Sequence, residues 1–274
     1  MAEVVLENVS VDLPIYNPRG RALKNELLRR AVGARVDRAD SSVTVVQALR
    51  GLNLHVSHGE RVGLIGKNGA GKTTLLRVLA RIFHPTRGTA SISGRVSALL
   101  DLTAGMDPEA TGYENIILRG VVLGLSPSGA RAIVPDVEEF TELGEYLSLP
   151  IRTYSSGMML RLAFAVSTAV QPDIVILDEL IGVGDAEFSA KAFQRVNELI
   201  EKSSMLFLAS HNNVTIRQFC TRTLLLDDGA ISLDGPTEQL IVAYEERSRT
   251  DVTRTPAPPK NSDDAAEAAA NYGR

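Results

Sequence analysis

Eight consecutive residues, Gly66-Lys67-Asn68-Gly69-Ala70-Gly71-Lys72-Thr73, constrain the fold of this chain more than any other stretch. The apolar run Val62, Leu64, Ile65 precedes them and Leu75, Leu76, Val78, Leu79 follow, so the order is strand, glycine-rich turn, helix. A strand feeding straight into a helix in this way places the chain in the α/β class. The glycines let backbone N–H groups close around an anion, and the helix N-terminus adds the positive end of its dipole. Lys72 supplies a point charge for β- and γ-phosphates, the Thr73 hydroxyl can ligate Mg²⁺, and Thr74 continues the same first turn.

Two further strands carry chemistry at their ends. Ile174-Val175-Ile176-Leu177 is an uninterrupted apolar run, the pattern of a strand buried on both faces, and it ends in Asp178-Glu179. Two carboxylates there are costly unless a metal or a reaction uses them. Asp178 suits Mg²⁺, directly or through water, and Glu179 can orient and deprotonate an attacking water. Met205-Leu206-Phe207-Leu208-Ala209 is a second such strand, and it runs into Ser210-His211-Asn212. A lone histidine is more often structural, but ligands bind at the carboxyl ends of parallel strands, which makes His211 a candidate. A third element is Tyr154-Ser155-Ser156-Gly157-Met158. Ser155 can cap a helix that continues through Leu160, Leu162, Ala163 and Val166, and its first turn would offer N–H groups to an anion.

In this order and spacing the residues resemble the ATP-binding-cassette ATPases over nearly the whole stretch from the N-terminus to about Glu246. Gly66 to Thr73 is similar to their Walker A motif and Ile174 to Glu179 to Walker B with its catalytic glutamate. Tyr154 to Met158 resembles the signature motif, Gly182-Val183-Gly184-Asp185 the D-loop region, and His211 the switch histidine. The resemblance implies a RecA-like P-loop NTPase core, an antiparallel β-subdomain and a helical signature subdomain, together an ABC nucleotide-binding domain. It also implies two ATP molecules with Mg²⁺, sandwiched head to tail in a homodimer. Ser155, Ser156 and Gly157 would then complete the partner's site, not that of their own chain. Implied roles are Lys72, Glu179 and His211 in catalysis, Thr73 and Asp178 at the metal, and Tyr16 stacked on adenine.

The variant signature narrows the resemblance to the ATPases that export bacterial surface polysaccharides, such as O-antigen, capsule, teichoic acid and galactan. Leu149 to Thr153, Arg161 to Phe164, Val183 to Phe188, Ala98 to Gly105 and Thr111 to Asn115 are also similar to that branch. Two departures stand out. No glutamine occupies the Q-loop near Asp101-Leu102, which leaves Asp101 as the candidate for its Mg²⁺ and water role, and Ser156 replaces a signature glycine.

Organisation along the chain agrees with one nucleotide domain over residues 1–246. Val4 to Leu13, Val43 to Val46 and Leu52 to Val56 alternate as strands of the β-subdomain, and Thr89 to Ser93 and Val96 to Leu99 are expected to return to the core. Residues 111–170 turn helical, with Pro135 starting or breaking a helix. An insertion at about 17–42 is rich in arginine, and Leu23, Leu27, Leu28 and Val32 share roughly one helical face. It reads either as a solvated surface helix or as one lying near anionic headgroups or the permease. Residues 247–274, with Pro256, Pro258, Pro259 and an alanine-rich end, are expected to form a disordered tail too short for a carbohydrate-binding β-sandwich.

Composition excludes other classes. The net charge of -4 gives no electrostatic case for nucleic acid. The single cysteine, Cys220, rules out an internal disulfide and reads as a buried structural thiol. No signal peptide and no membrane-spanning run are seen, so the expectation is a peripheral protein at the cytoplasmic face of the cell membrane. A separate multi-helix permease would then handle the polysaccharide. Soluble cassette ATPases acting on DNA or the ribosome carry a long coiled coil or two cassettes, and neither is present here. The short tail and the alanine- and arginine-rich composition tilt the expectation towards a galactan-type or actinobacterial exporter.

Overall fold

The computed structural model describes residues 1–16, 36–40, 43–179 and 186–254, with side chains for 1–14, 45–179 and 188–246. Most of the basic insertion, Gly182 to Asp185 and residues 255–274 lie outside the described residues, as does the Tyr16 side chain. By internal contacts Met1–Leu240 form one unit and Ile241–Arg274 a second.

The alternating residues near the start build the antiparallel sheet. Strand β1 (Glu3–Tyr16) is flanked by β3 (Val43–Ser57), and β2 (Val36–Asp40) adds to the far side of β3. Pairing of β1 with β3 runs from Glu3↔Ser57 to Tyr16↔Val43 and slips between Leu6 and Asp12. Those irregularities, with Asn8 and Gly51 at positive φ, let β3 continue as one strand where the alternation in sequence breaks into two. Val4, Leu6, Val9 and Val11 face Leu49, Leu52, Leu54 and Val56 across the buried side.

Next come β4 (Arg61–Ile65), α1 (Lys72–Leu79), β5 (Arg87–Ser93) and β6 (Val96–Leu99). The two last strands part company, contrary to the expectation that both return to the core. β5 pairs antiparallel with β1, Val4 opposite Ile92, and only β6 enters the second sheet. The cause is composition: β5 reads Arg-Gly-Thr-Ala-Ser-Ile-Ser and keeps one face in water, which suits an antiparallel edge and not a doubly buried strand.

Residues 112–169 are mainly helical. They contain α2 (Gly112–Val122), α3 (Pro127–Ala132), α4 (Val134–Thr141) and α5 (Ser156–Ala169), with 3₁₀ turns at Gly144–Ser148 and Ile151–Thr153. Thr111 and Glu114 form a capping box at α2, and Pro135 sits in the first turn of α4, where its missing N–H costs nothing.

The chain then alternates β7 (Ile174–Asp178), α6 (Ala186–Lys202), β8 (Met205–Ala209), α7 (Asn213–Phe219), β9 (Arg222–Asp227) and β10 (Ala230–Pro236). The second sheet has the order β10-β9-β4-β8-β7-β6, parallel except for β10. β7 and β8 lie side by side, and their apolar residues are fully buried, as their unbroken runs require. Helix α8 (Thr237–Arg254) continues past Glu246, into the stretch expected to be a tail. Among the described residues no helix is long and apolar enough to cross a membrane.

Candidate active site

The turn from β4 to α1 is wedged between neighbouring strands. Gly66 has φ 144°, and a Cβ there would sit 2.2 Å from the Leu226 carbonyl oxygen. Gly71 has φ 106°, and its Cβ would come within 2.8 Å of the Ala48 oxygen. Only glycine fits both positions, and that is how the loop stays tight enough to present its N–H groups. Gly71 is also the N-cap of α1; no side chain caps this helix and no acidic residue lies in its first turn. The helix therefore offers its first N–H groups and its dipole to an anion.

Lys72 folds back over this loop. Its Nζ donates to the Gly66 oxygen at 2.6 Å and the Lys67 oxygen at 3.2 Å. Only 8% of the residue is exposed. Burial pushes its pKa below the ordinary lysine value, while the charges of Asp178 and Glu179 act in the opposite direction. Thr73 Oγ1 donates to Asp178 Oδ2 at 2.7 Å, which joins the first turn of α1 to the end of β7. A hydroxyl and a carboxylate oxygen side by side are the hard donors that Mg²⁺ takes, so this pair fits the ion that the family implies. Among the described residues no cluster of three or more His, Cys, Asp or Glu forms an all-protein cage.

β7 and β8 run parallel with Asp178 opposite Ala209, so their next residues, Glu179 and Ser210-His211, emerge together. Glu179 has φ 64°, a left-handed conformation that costs a non-glycine residue roughly 1–2 kcal/mol. Its N–H donates to the Ala209 oxygen at 2.8 Å, which holds the bend. The Glu179 and His211 side chains stand over half exposed, with Oε1 and Nε2 3.9 Å apart. The His211 turn is fixed from behind: Asn212 N–H donates to Ser210 Oγ at 3.0 Å, and Asn212 Oδ1 caps α7 through Val214 N–H at 2.9 Å.

These groups share one cleft of about 580 Å³, bounded by residues 68–74, Asp178, Glu179 and Ala209 to His211. Its apolar wall comes from Leu13, Val46 and Ala48 of the antiparallel sheet. Sequence reasoning missed all three, because Leu13 and Val46 meet only through the β1–β3 register, which nothing local encodes. The signature residues do not line this cleft. Ser155 is the exposed N-cap of α5, accepting from Met158 N–H at 3.2 Å, and Ser156 beside it is exposed as well. A Cβ on Gly157 would meet nothing nearer than Ser155 Oγ at 3.9 Å, so this helix start is open to approach from outside. Asp101 is exposed, contacts Thr103 Oγ1 at 3.4 Å and is absent from the cleft lining. Cys220 is buried, and desolvation pushes its thiol up to about 12, which keeps it protonated and inert.

Known proteins are similar to this chain in sequence and in fold. The sequence pattern of the ABC transporter family matches residues 49–182. The O-antigen export system ATP-binding protein RfbE of Yersinia enterocolitica is 43% identical over 231 residues, 84% of this chain and 97% of that protein. The O-antigen export system ATP-binding protein RfbB of Myxococcus xanthus is 40% identical over 248 residues, 90% of this chain but only 56% of that longer protein. In fold, the chain is similar to a dimeric ATP-binding cassette in a post-hydrolysis state bound to ADP and Pi, with a TM-score of 0.60 at 19% identity, covering 85% of this chain and 98% of that one. On its strand order, its P-loop cleft and these relatives, the chain belongs to the ABC transporter family, among the ATP-binding proteins of surface-polysaccharide export, and is an ATP hydrolase.

Proposed function

We propose that this chain is the ATPase subunit of an exporter that moves a lipid-linked cell-surface polysaccharide of O-antigen type across the cytoplasmic membrane. It works as a homodimer at the inner face of that membrane, beneath a multi-helix permease that handles the glycan. The observation that carries this reading is the Thr73–Asp178 contact, set in a cleft that runs from the P-loop to Glu179 and His211.

Each residue has a definable task. The uncapped first turn of α1 and Lys72 bind the phosphates, and the Leu13 and Val46 wall accepts the flat apolar face of the base, with Tyr16 as its stacking partner. Thr73 and Asp178 hold Mg²⁺, which supplies neutralising charge when bound. Asp101 is outside this metal pair. Glu179 takes the proton of the attacking water, and His211, beside it, holds the γ-phosphate end in place. Ser155, Ser156 and Gly157 are absent from the lining of their own cleft and serve the partner's nucleotide. A net charge of -4 speaks against nucleic acid as the partner.

Isolation of the tagged chain from detergent-solubilised membranes tests the assignment. A multi-helix membrane protein is expected to co-purify, and the pair, reconstituted in vesicles, is expected to translocate lipid-linked glycan with ATP. Recovery with ribosomes or nucleic acid, or glycan-independent transport of a small solute, would overturn it.

A further inference from the structure

The start of helix α5 is thinly packed. From Arg152 to Arg161 every residue is exposed or half-buried, and full burial begins at Leu162. Ser155 caps the helix from within its own first turn, so the cap does not fix where that turn points. The anchor lies just before it. Residues 108–112 and 149–154 are stitched together by main-chain bonds. Gly112 N–H donates to the Leu149 oxygen at 3.3 Å, and Ile151 N–H and Arg152 N–H donate to the Ala110 and Pro108 oxygens, both at 3.0 Å. Tyr154 then folds back over this seam, and its hydroxyl donates to the Tyr146 oxygen in the 3₁₀ turn at 2.7 Å.

Gly112, the first residue of α2, marks where that hydroxyl lies. It is buried and not at positive φ, so its backbone asks for no glycine. A Cβ there would stand 2.4 Å from the Tyr154 hydroxyl oxygen, 2.9 Å from Leu147 Cδ2 and 3.0 Å from Leu147 Cα. Glycine is a poor helix residue, and here its missing side chain is the room the hydroxyl takes. Fully buried Leu147 closes the other side. A hydroxyl donating to one carbonyl is ordinary packing, but its place in the chain is not. Tyr154 directly precedes Ser155, so docking its ring fixes the point from which the first N–H groups of α5 are aimed. Tyr154 itself is absent from the lining of its own chain's cleft.

We propose that Tyr154 is a positioning residue, docked on Gly112 and Tyr146, that aims the first turn of α5 at the partner's nucleotide. This rests on the reading of Ser155 and Gly157 as acting in trans. Tyr154→Phe removes the hydroxyl alone, and Gly112→Ala fills the space it uses. Tyr154→Phe is expected to lower kcat about fivefold, the scale of one hydrogen bond, with affinity for a fluorescent ATP analogue within about twofold and melting temperature near the wild type. Gly112→Ala should lower kcat about tenfold alone but less than about twofold when added to Tyr154→Phe, because the hydroxyl it displaces is already gone. Tyr154→Phe is then mixed with an equal amount of Lys72→Met, which lacks the P-loop charge but keeps Tyr154. In mixed dimers the intact P-loop meets an intact signature helix. Turnover per Tyr154→Phe chain should therefore rise, by at most about threefold under random pairing. Wild-type kcat in Tyr154→Phe, a loss that follows analogue affinity and melting, or additive losses from the two substitutions would each overturn the proposal. So would no rise on mixing while Ser155→Asp and Lys72→Met do restore activity to each other. If that pair fails as well, the trans reading falls, and the proposal with it.

Discussion

Glu179→Gln is expected to lower ATP turnover by about three decades, as losing a general base does, while leaving ATP binding intact. The carboxylate stands at the end of β7, on a residue held at φ 64° by its N–H bond to Ala209, with its Oε1 3.9 Å from His211. Strain of that kind persists where the surroundings over-determine it, and here it turns the side chain into the cleft mouth beside Asp178. Glutamine keeps the shape but cannot accept the water's proton. With hydrolysis stopped, ATP remains bound and draws the protein towards the dimer by mass action. Phosphate release and light scattering measure the two effects. Turnover at the wild-type rate would remove Glu179 from the mechanism.

Lys72→Met should act one step earlier, on binding. The ammonium is buried and donates to two loop carbonyls, Gly66 and Lys67, so it is aimed at the space where phosphates sit. Truncating a buried, hydrogen-bonded charge typically costs about 2–5 kcal/mol, so ATP affinity is expected to fall by roughly two decades or more. Methionine fills most of the volume, which limits collateral loss of packing. Titration with a fluorescent ATP analogue reads the change, and an affinity within a few-fold of wild type would contradict the assignment of Lys72 to phosphate.

The parts of the site legible in the sequence are those encoded locally. A strand, a turn and a helix in succession define the loop around Lys72, and unbroken apolar runs mark β7 and β8 as buried strands with Glu179 and His211 at their ends. Ser155 as a helix cap follows from the residues around it. Contacts that depend on pairing between distant segments were not legible. Leu13 faces Val46 only after the β1–β3 register is set, and β5 joins the antiparallel sheet because of what lies beside it. The same holds for Phe140, Phe164 and Phe188, whose spacing gives three separate apolar positions and no hint of one cluster. Asp101, the candidate left by the missing Q-loop glutamine, contacts Thr103 and does not line the cleft.

The central claim is that each ATP site is shared between two chains, and a mixing experiment tests it most directly. Ser155→Asp keeps the N-cap of α5, since aspartate caps as well as serine, but sets a negative charge against the partner's phosphates. This variant alone and Lys72→Met alone should each be inactive. When the two are mixed, the P-loop of the first and the signature helix of the second form one intact site per mixed dimer. Phosphate release should then recover to at most about a quarter of the wild-type rate under random pairing of equal amounts. No recovery, with both variants folded and dimerising, would show that the signature and the P-loop serve the same nucleotide within one chain.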